Sequence, residues 1–320
     1  MTASRSQTLI ALIGFGIFVA ATQARAQDLD KAVESYKAGI YDEAASRFFE
    51  VLQFEKDPGL IAEAQYGLAA SFQKLDLPLA ALKYFEDIVK EGAEHPYFNK
   101  SIVGLLDVGD QLEDDLKVPQ ILDRMYEANI NALRRLNPET LQRIHYIVGE
   151  RLFRVNNFAE ARSFLQTIKQ GHSDSASAQY LLGLVALRVG QSGGARPDFD
   201  AALMAFDAVK KEIPITDPDP ERRKLRDLAA LGIGRAYYER AYVLEENDPR
   251  KSKWFERAIA EYRAVPRFST AWPDALFERG WAHAVVGEYG RALGALHALS
   301  TPYFETAFYP EADILQATIY

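Results

Sequence analysis

The sequence predicts an all-α fold, a solenoid of antiparallel helix pairs, on three observations. First, a phrase recurs in which a small residue is followed twelve positions later by an alanine, and that alanine by large apolar residues four and seven further on. Residues at i, i+4 and i+7 share one face of a helix, so the alanine and its followers form a stripe. A small residue facing it lets two antiparallel helices cross closely. Second, Gly39, Asn156-Asn157 and Gly287 fall between the two halves of a phrase, where a tight turn needs left-handed dihedrals. Third, Pro58, Pro96, Pro273 and Pro310 open or precede first helices, where the missing N–H has no intrahelical partner to lose.

Taken in order, residues 1–26 read as a secretory signal. Arg5 precedes the apolar run "TLIALIGFGIFVAAT", and Ala24-Arg25-Ala26 supplies a small-x-small cleavage pattern before Gln27. The run is shorter than the roughly 20 residues a membrane-spanning helix needs. The phrase then begins at Ala32, which leads to Ala44, Phe48 and Val51, and recurs at Ala69, which leads to Ala81, Phe85 and Ile88. Residues 97–143 read as two helices without the phrase, a degenerate repeat. It returns at Gly149 (Ala161, Leu165, Ile168) and Gly280 (Ala292, Leu296, Leu299). In two copies the turn is lengthened, near 190–200 between Gly183 and Ala202, and near 243–253 between Gly234 and Ala258. Tyr309-Pro310-Glu311-Ala312 aligns with Trp272-Pro273-Asp274-Ala275, so residues 309–320 read as the first half of a further repeat. Its unpaired face, Ile319 and Tyr320, is expected to be an exposed terminal edge that meets a continuation of the chain, another protein or a second copy.

Composition excludes several classes. The formal charge is -8, and -10 without residues 1–26, which disfavours nucleic acid as a partner. There are no cysteines, hence no disulfide, thiolate nucleophile or Cys-ligated metal. The five histidines fall in no HExxH or comparable ligand spacing, and neither a GxSxG elbow nor a phosphate-binding GxxxxGK[ST] loop is present. "EDD" at 113–115 and "DPDPE" at 217–221 lack the glycine and ligand count of a calcium loop and read as solvated turns. The expectation is a non-enzyme with neither cofactor nor metal, and with no integral membrane segment after residue 26.

With these residues in view, the sequence resembles the tetratricopeptide repeat family, with about six repeats plus a partial one over residues 29–320. The turn-proximal aromatics Tyr41, Phe158 and Tyr289 add to the likeness. The resemblance implies a right-handed superhelix whose concave surface is formed by first helices, at residues three before and one, four and five after the small residue. Carried over, those positions hold Tyr66, Tyr146, Tyr180 and Phe277, then Tyr36, Phe153, Tyr238 and Trp281, then Lys74, Arg154, Arg188 and Arg235. An aromatic and basic groove of this kind can hold an extended segment, while for each ring the plain alternative is half-buried helix packing. The carboxylate clamp of chaperone-binding members does not carry over, because the three-before positions are Leu29, Tyr66, Tyr146, Tyr180, Leu231 and Phe277.

The functional expectation is a periplasmic or secreted interaction scaffold of a bacterial cell envelope with a protein or peptide partner. Two alternatives stand beside it: a polysaccharide or peptidoglycan binding or export factor, and the superhelical part of a larger cell-wall enzyme.

Overall fold

The structure is a computed structural model that describes residues 27–112, 117–188, 196–300 and 309–320. Residues 1–26, read from the sequence as a signal, the acidic group 113–115 and most of the first lengthened turn lie outside the described residues. All regular structure among the described residues is helical. The chain divides into two compact units, Met1–Leu141 and Gln142–Tyr320, each taken by itself below. No described helix is long and apolar enough to cross a membrane.

The first unit holds α1 (residues 27–37), α2 (Tyr41–Phe54), α3 (Pro58–Lys74), α4 (Pro78–Glu91), α5 (Phe98–Gly109) and α6 (Lys117–Leu133). The phrase residues are its core: Ala32, Ala44, Phe48 and Val51 are buried together with Ala64 and Leu68. Asp57 caps α3 by accepting the N–H groups of Gly59 and Leu60, two of the donors a helix start leaves unpaired. The degenerate stretch keeps its helix pair. Its α6 is kinked at Asn129, whose side chain donates to the Met125 carbonyl and accepts the N–H of Ala93.

The second unit holds most of α7 (Pro138–Arg154), then α8 (Phe158–Leu165), α9 (Ser175–Arg188), α10 (Phe199–Glu212), α11 (Pro220–Tyr242), α12 (Arg250–Ala264), α13 (Trp272–Val285), α14 (Tyr289–Leu299) and α15 (Pro310–Ile319). Consecutive helices from α9 to α15 pack on one another, and α9, α11, α13 and α15 also touch in succession. The second lengthened turn is shared among a longer end of α11, which stops at Tyr242, residues 243–249, and a longer start of α12, which begins at Arg250. Because α5 and α6 take a full place in the series, α15 stands as the first helix of an eighth place, one later than the phrase alone counts.

Four of the short turns share one geometry. Gly39, Asp76, Asn156 and Gly287 have φ of 79°, 57°, 61° and 78°. The residue after each donates its N–H to a carbonyl five residues back: Ile40 to Ser35, Leu77 to Phe72, Asn157 to Leu152 and Glu288 to His283, at 2.9–3.0 Å. This is the Schellman closure, which satisfies last-turn carbonyls and reverses the chain in three residues. Asp76 is the member that the sequence reading did not name.

The small residue of the phrase meets chiefly the large residue four after the alanine. A Cβ built on Gly183 would lie 2.5 Å from the Phe206 ring, one on Gly234 2.4 Å from Tyr262, and one on Gly149 2.9 Å from Leu165. A second set of glycines receives the same rings from the next helix pair: Gly67 meets Phe48, Gly104 meets Phe85 and Gly232 meets Phe206, at 2.4–2.8 Å. Phe206 is therefore pressed between glycines of two successive pairs, Gly183 and Gly232, at a distance that no larger residue permits.

The acidic "DPDPE" stretch is not a solvated turn throughout. Asp217 is buried, with Arg222 Nε 3.2 Å from its carboxylate and Arg223 on its carbonyl, while Asp219 caps α11. The first unit also buries His95, whose Nδ1 accepts the N–H of Tyr97, so its Nε2–H donates to Gln65 at 3.1 Å. Burial pushes the His95 pKa down, against an opposing pull from Glu91. A histidine with a depressed folded pKa contributes stability that is full above the unfolded value of about 6.5 and is lost as the pH falls through the folded one. Thermal melting of the first unit is expected to fall between pH 7.5 and 5.5, and less so in His95→Asn. Equal pH dependence in the two proteins would show that His95 is not the titrating group.

Candidate functional site

On the second unit, successive first helices enclose a cavity of about 470 Å³. Helix α11 supplies Arg235, Tyr238 and Glu239, α13 supplies Phe277, Glu278 and Trp281, and α15 supplies Glu311; Tyr262 comes up from α12 beneath them. The spacing 235, 238, 239 and the spacing 277, 278, 281 each place three side chains on one helical face. The first helices of consecutive pairs thus form the lining, and the second helix contributes only a ring that reaches between them.

A polar seam crosses the floor. Arg235 donates through Nε to Glu278 Oε1 at 2.8 Å, and its Nη2 lies 3.9 Å from Asp274. Burial raises the Glu278 carboxyl pKa, while Arg235 and a hydrogen bond from the Tyr262 hydroxyl oppose the rise. Tyr262 is itself buried and held well above its ordinary value, first by desolvation and then by the Glu278 charge. Glu239 is also raised by burial, with Arg188 and Arg235 acting the other way.

The walls are aromatic. Trp281 Nε1 donates to the Tyr238 hydroxyl at 2.8 Å, which locks two rings of adjacent first helices edge to edge. Phe277 lies 6.3 Å from Trp281 and stacks on Tyr309 at 5.8 Å, and Tyr309 donates its hydroxyl to Asp274 at 2.5 Å. Trp281 remains 42% exposed, so a large apolar face opens to the cavity. Such a concave, mostly apolar space with a few convergent polar groups has the size and character of a ligand site.

The repeated hairpins, with a shared turn, a small residue under a ring and first helices in succession on one face, decide the architecture. Each unit is a stack of antiparallel helix pairs of the tetratricopeptide-repeat (TPR) kind.

No family model and no curated protein matches this chain. Solved structures similar to it include the C-terminal part of a TPR repeat-containing protein from Cytophaga hutchinsonii, at 14% identity and TM-score 0.48, covering 90% of this chain and 98% of that one. A TPR protein from Parabacteroides merdae is similar at 15% identity and TM-score 0.41, covering 93% and 99%. A thermophilic TPR protein from Thermus thermophilus matches at 22% identity and TM-score 0.28, covering 65% of this chain and 98% of its own.

Of the groove residues expected from the TPR resemblance, the cavity gathers Arg235, Tyr238, Phe277 and Trp281. The others lie elsewhere. In the first unit Tyr36 packs its ring edge on Tyr41, Tyr66 stacks on Tyr97 at 4.9 Å with Lys100 over the ring, and Lys74 is exposed. In the second, Tyr146 is hydrogen-bonded to Ser177, Phe153 packs on Phe158, Arg154 pairs with Glu150 at 2.8 Å, Tyr180 packs on Phe206, and Arg188 is exposed. The terminal edge divides: Ile319 is half-buried against the cluster of Leu276, Leu296 and Leu315, whereas Tyr320 is 83% exposed with its hydroxyl 3.1 Å from His297.

The expected basic character changes sign at the cavity. Three carboxylates, Glu239, Glu278 and Glu311, face one guanidinium, and that guanidinium is paired. Glu278 and Tyr262 were missed, although the repeat marks both. Tyr262 occupies the place of Phe48, Phe85 and Phe206, four after the alanine. Glu278, two before Gly280, occupies the place of Gly67 and Gly232, two before their small residues. Where three other successive pairs of this chain press a phenyl ring on glycine, this one sets a phenol against a carboxylate. Among the described residues there is no cluster of three or more side chains able to hold a metal ion.

Proposed function

We propose that this protein is a non-catalytic protein-interaction scaffold of the bacterial cell envelope, exported by its N-terminal signal, and that the cavity on its second unit anchors an extended segment of a protein partner. The observation that carries this reading is the polar pair Glu278 and Tyr262 under the cavity, at a place where three other successive pairs press a phenyl ring on glycine. The Glu278 and Tyr262 pair forgoes the apolar packing of those three contacts, and it stands under an open wall of Phe277 and Trp281. Aromatic anchors in desolvated pockets are the usual centres of protein interfaces.

The test is photocrosslinking in intact cells, with a benzophenone amino acid at Tyr242, which is 68% exposed and stacks on Tyr238 of the cavity wall. The mature protein is expected to begin at Gln27 and to form adducts that map to one short stretch of a protein, and Trp281→Ala is expected to abolish them. Adducts made of glycan would instead favour the polysaccharide reading, and adducts insensitive to Trp281→Ala would dissociate the cavity from binding.

A further inference from the structure

The rings of this chain are used in two ways. Trp254 on α12 has Arg240 at 4.3 Å and Arg257 at 4.7 Å over its ring, and Tyr66 and Tyr97 share Lys100 at 5.7 and 5.2 Å. In the cavity, by contrast, no lysine or arginine among the described residues lies over Tyr238, Phe277 or Trp281. The nearby guanidinium of Arg235 is held away by Glu278.

The charge of the cavity is correspondingly unbalanced. Glu239 and Glu311 form no side-chain hydrogen bond or ion pair with the described residues, and Glu239, half-buried among the rings, has only the longer-range charges of Arg188 and Arg235 to offset its burial. A carboxylate in that position is costly unless a cation joins it. The face of an aromatic ring carries negative potential that attracts ammonium and guanidinium groups, most strongly when water is excluded. The two features act on the same ligand class and repel the opposite one.

We propose that the cavity is a cation cage, and that its occupant is the lysine or arginine side chain of an extended protein segment, seated against the wall that Trp281 and Tyr238 form, with its charge toward Glu239 and Glu311. The assignment of a protein segment rests on the function proposed above; the cationic character of the anchor rests on the cavity. A cavity of about 470 Å³ exceeds one such side chain and leaves room for the apolar stem and a neighbouring residue against Phe277.

The test uses the full mature chain and acetylated, amidated heptapeptides of alanine and serine with one central residue: arginine, lysine, norleucine, glutamine or glutamate. Titration calorimetry is expected to show the arginine and lysine peptides binding at least tenfold more tightly than the glutamine peptide. Trp281→Ala, which keeps the net charge, and Glu239→Gln, which keeps the shape, are each expected to weaken the arginine peptide at least fivefold. Thermal melting of Glu239→Gln should stay at the wild-type value, since Glu239 bonds to no described side chain, whereas Trp281→Ala loses the bond to Tyr238 and is titrated well below its own melting temperature. Equal binding of the norleucine or glutamine peptide, an arginine peptide indifferent to both variants, or no binding of any peptide at millimolar concentration would each overturn the cation cage. Preference for norleucine with loss in Trp281→Ala would overturn it while leaving segment binding intact. Failure of crosslinking at Tyr242 alone would strike the scaffold reading.

Discussion

Replacing Phe206 with alanine is expected to destabilise the second unit by about 3–5 kcal/mol, the range for deleting a fully buried aromatic side chain. Phe206 has no solvent exposure and is pressed between Gly183 and Gly232, so neither backbone can follow it into the void. The converse change, Gly183→Ala, sets a methyl 2.5 Å from the ring and is expected to cost about 1–3 kcal/mol through overpacking. The two faults compensate. In the double variant the new methyl occupies space the ring has left, so the combined loss should fall short of the sum by about 1 kcal/mol or more. Urea unfolding of the four proteins measures the coupling, and strict additivity would mean that Gly183 is not kept small by this ring.

The second large effect concerns the floor of the cavity. In Arg235→Met the aliphatic stem remains, but Glu278 loses its cation while keeping its hydrogen bond from the Tyr262 hydroxyl. Breaking a fully buried pair costs about 3–5 kcal/mol. Here Arg235 is 43% exposed and Glu278 19%, so water screens part of the loss and about 1–3 kcal/mol is expected. The sign of its pH dependence follows from burial. A carboxyl whose folded pKa is raised contributes stability that is present below its unfolded pKa and is lost as the pH rises through the folded value. Removing Arg235 raises the Glu278 pKa further, so the deficit of the variant should be largest at pH 7–8 and shrink toward pH 4. A deficit independent of pH would assign the loss to packing of the arginine stem.

The helix pairs were legible because their signal is local. A small residue and an alanine twelve apart, with followers at helical spacing, fall within about thirty residues, and Gly149 with Leu165 or Gly280 with Leu296 can be read by eye. Contacts between successive pairs were less visible. Phe48 with Gly67 and Phe85 with Gly104 are both nineteen apart, yet Phe206 with Gly232 is not, because the long α11 shifts the register. The site was half visible for the same reason. Position along the first helix picks out Tyr238, Phe277 and Trp281, but whether a ring is buried or open depends on its neighbours, as Tyr180 under Phe206 and Tyr66 under Tyr97 illustrate. The charge of a groove is less legible still: Arg235 counts as basic in the sequence and is neutralised by a partner 43 residues away.

The shared rings have a further consequence for how such a molecule comes apart. A repeat array whose units touch only through a separable interface could melt pair by pair, with a free energy assignable to each. Phe206 belongs at once to its own hairpin, through Gly183, and to the following one, through Gly232. Opening either hairpin bares the same side chain, so the intrinsic and nearest-neighbour energies of the linear array are not independent quantities at that point. The ring acts as a rivet through two plates. Fraying that starts in one hairpin is passed to its neighbour, and native-state hydrogen exchange should find α9 to α11 opening as one block.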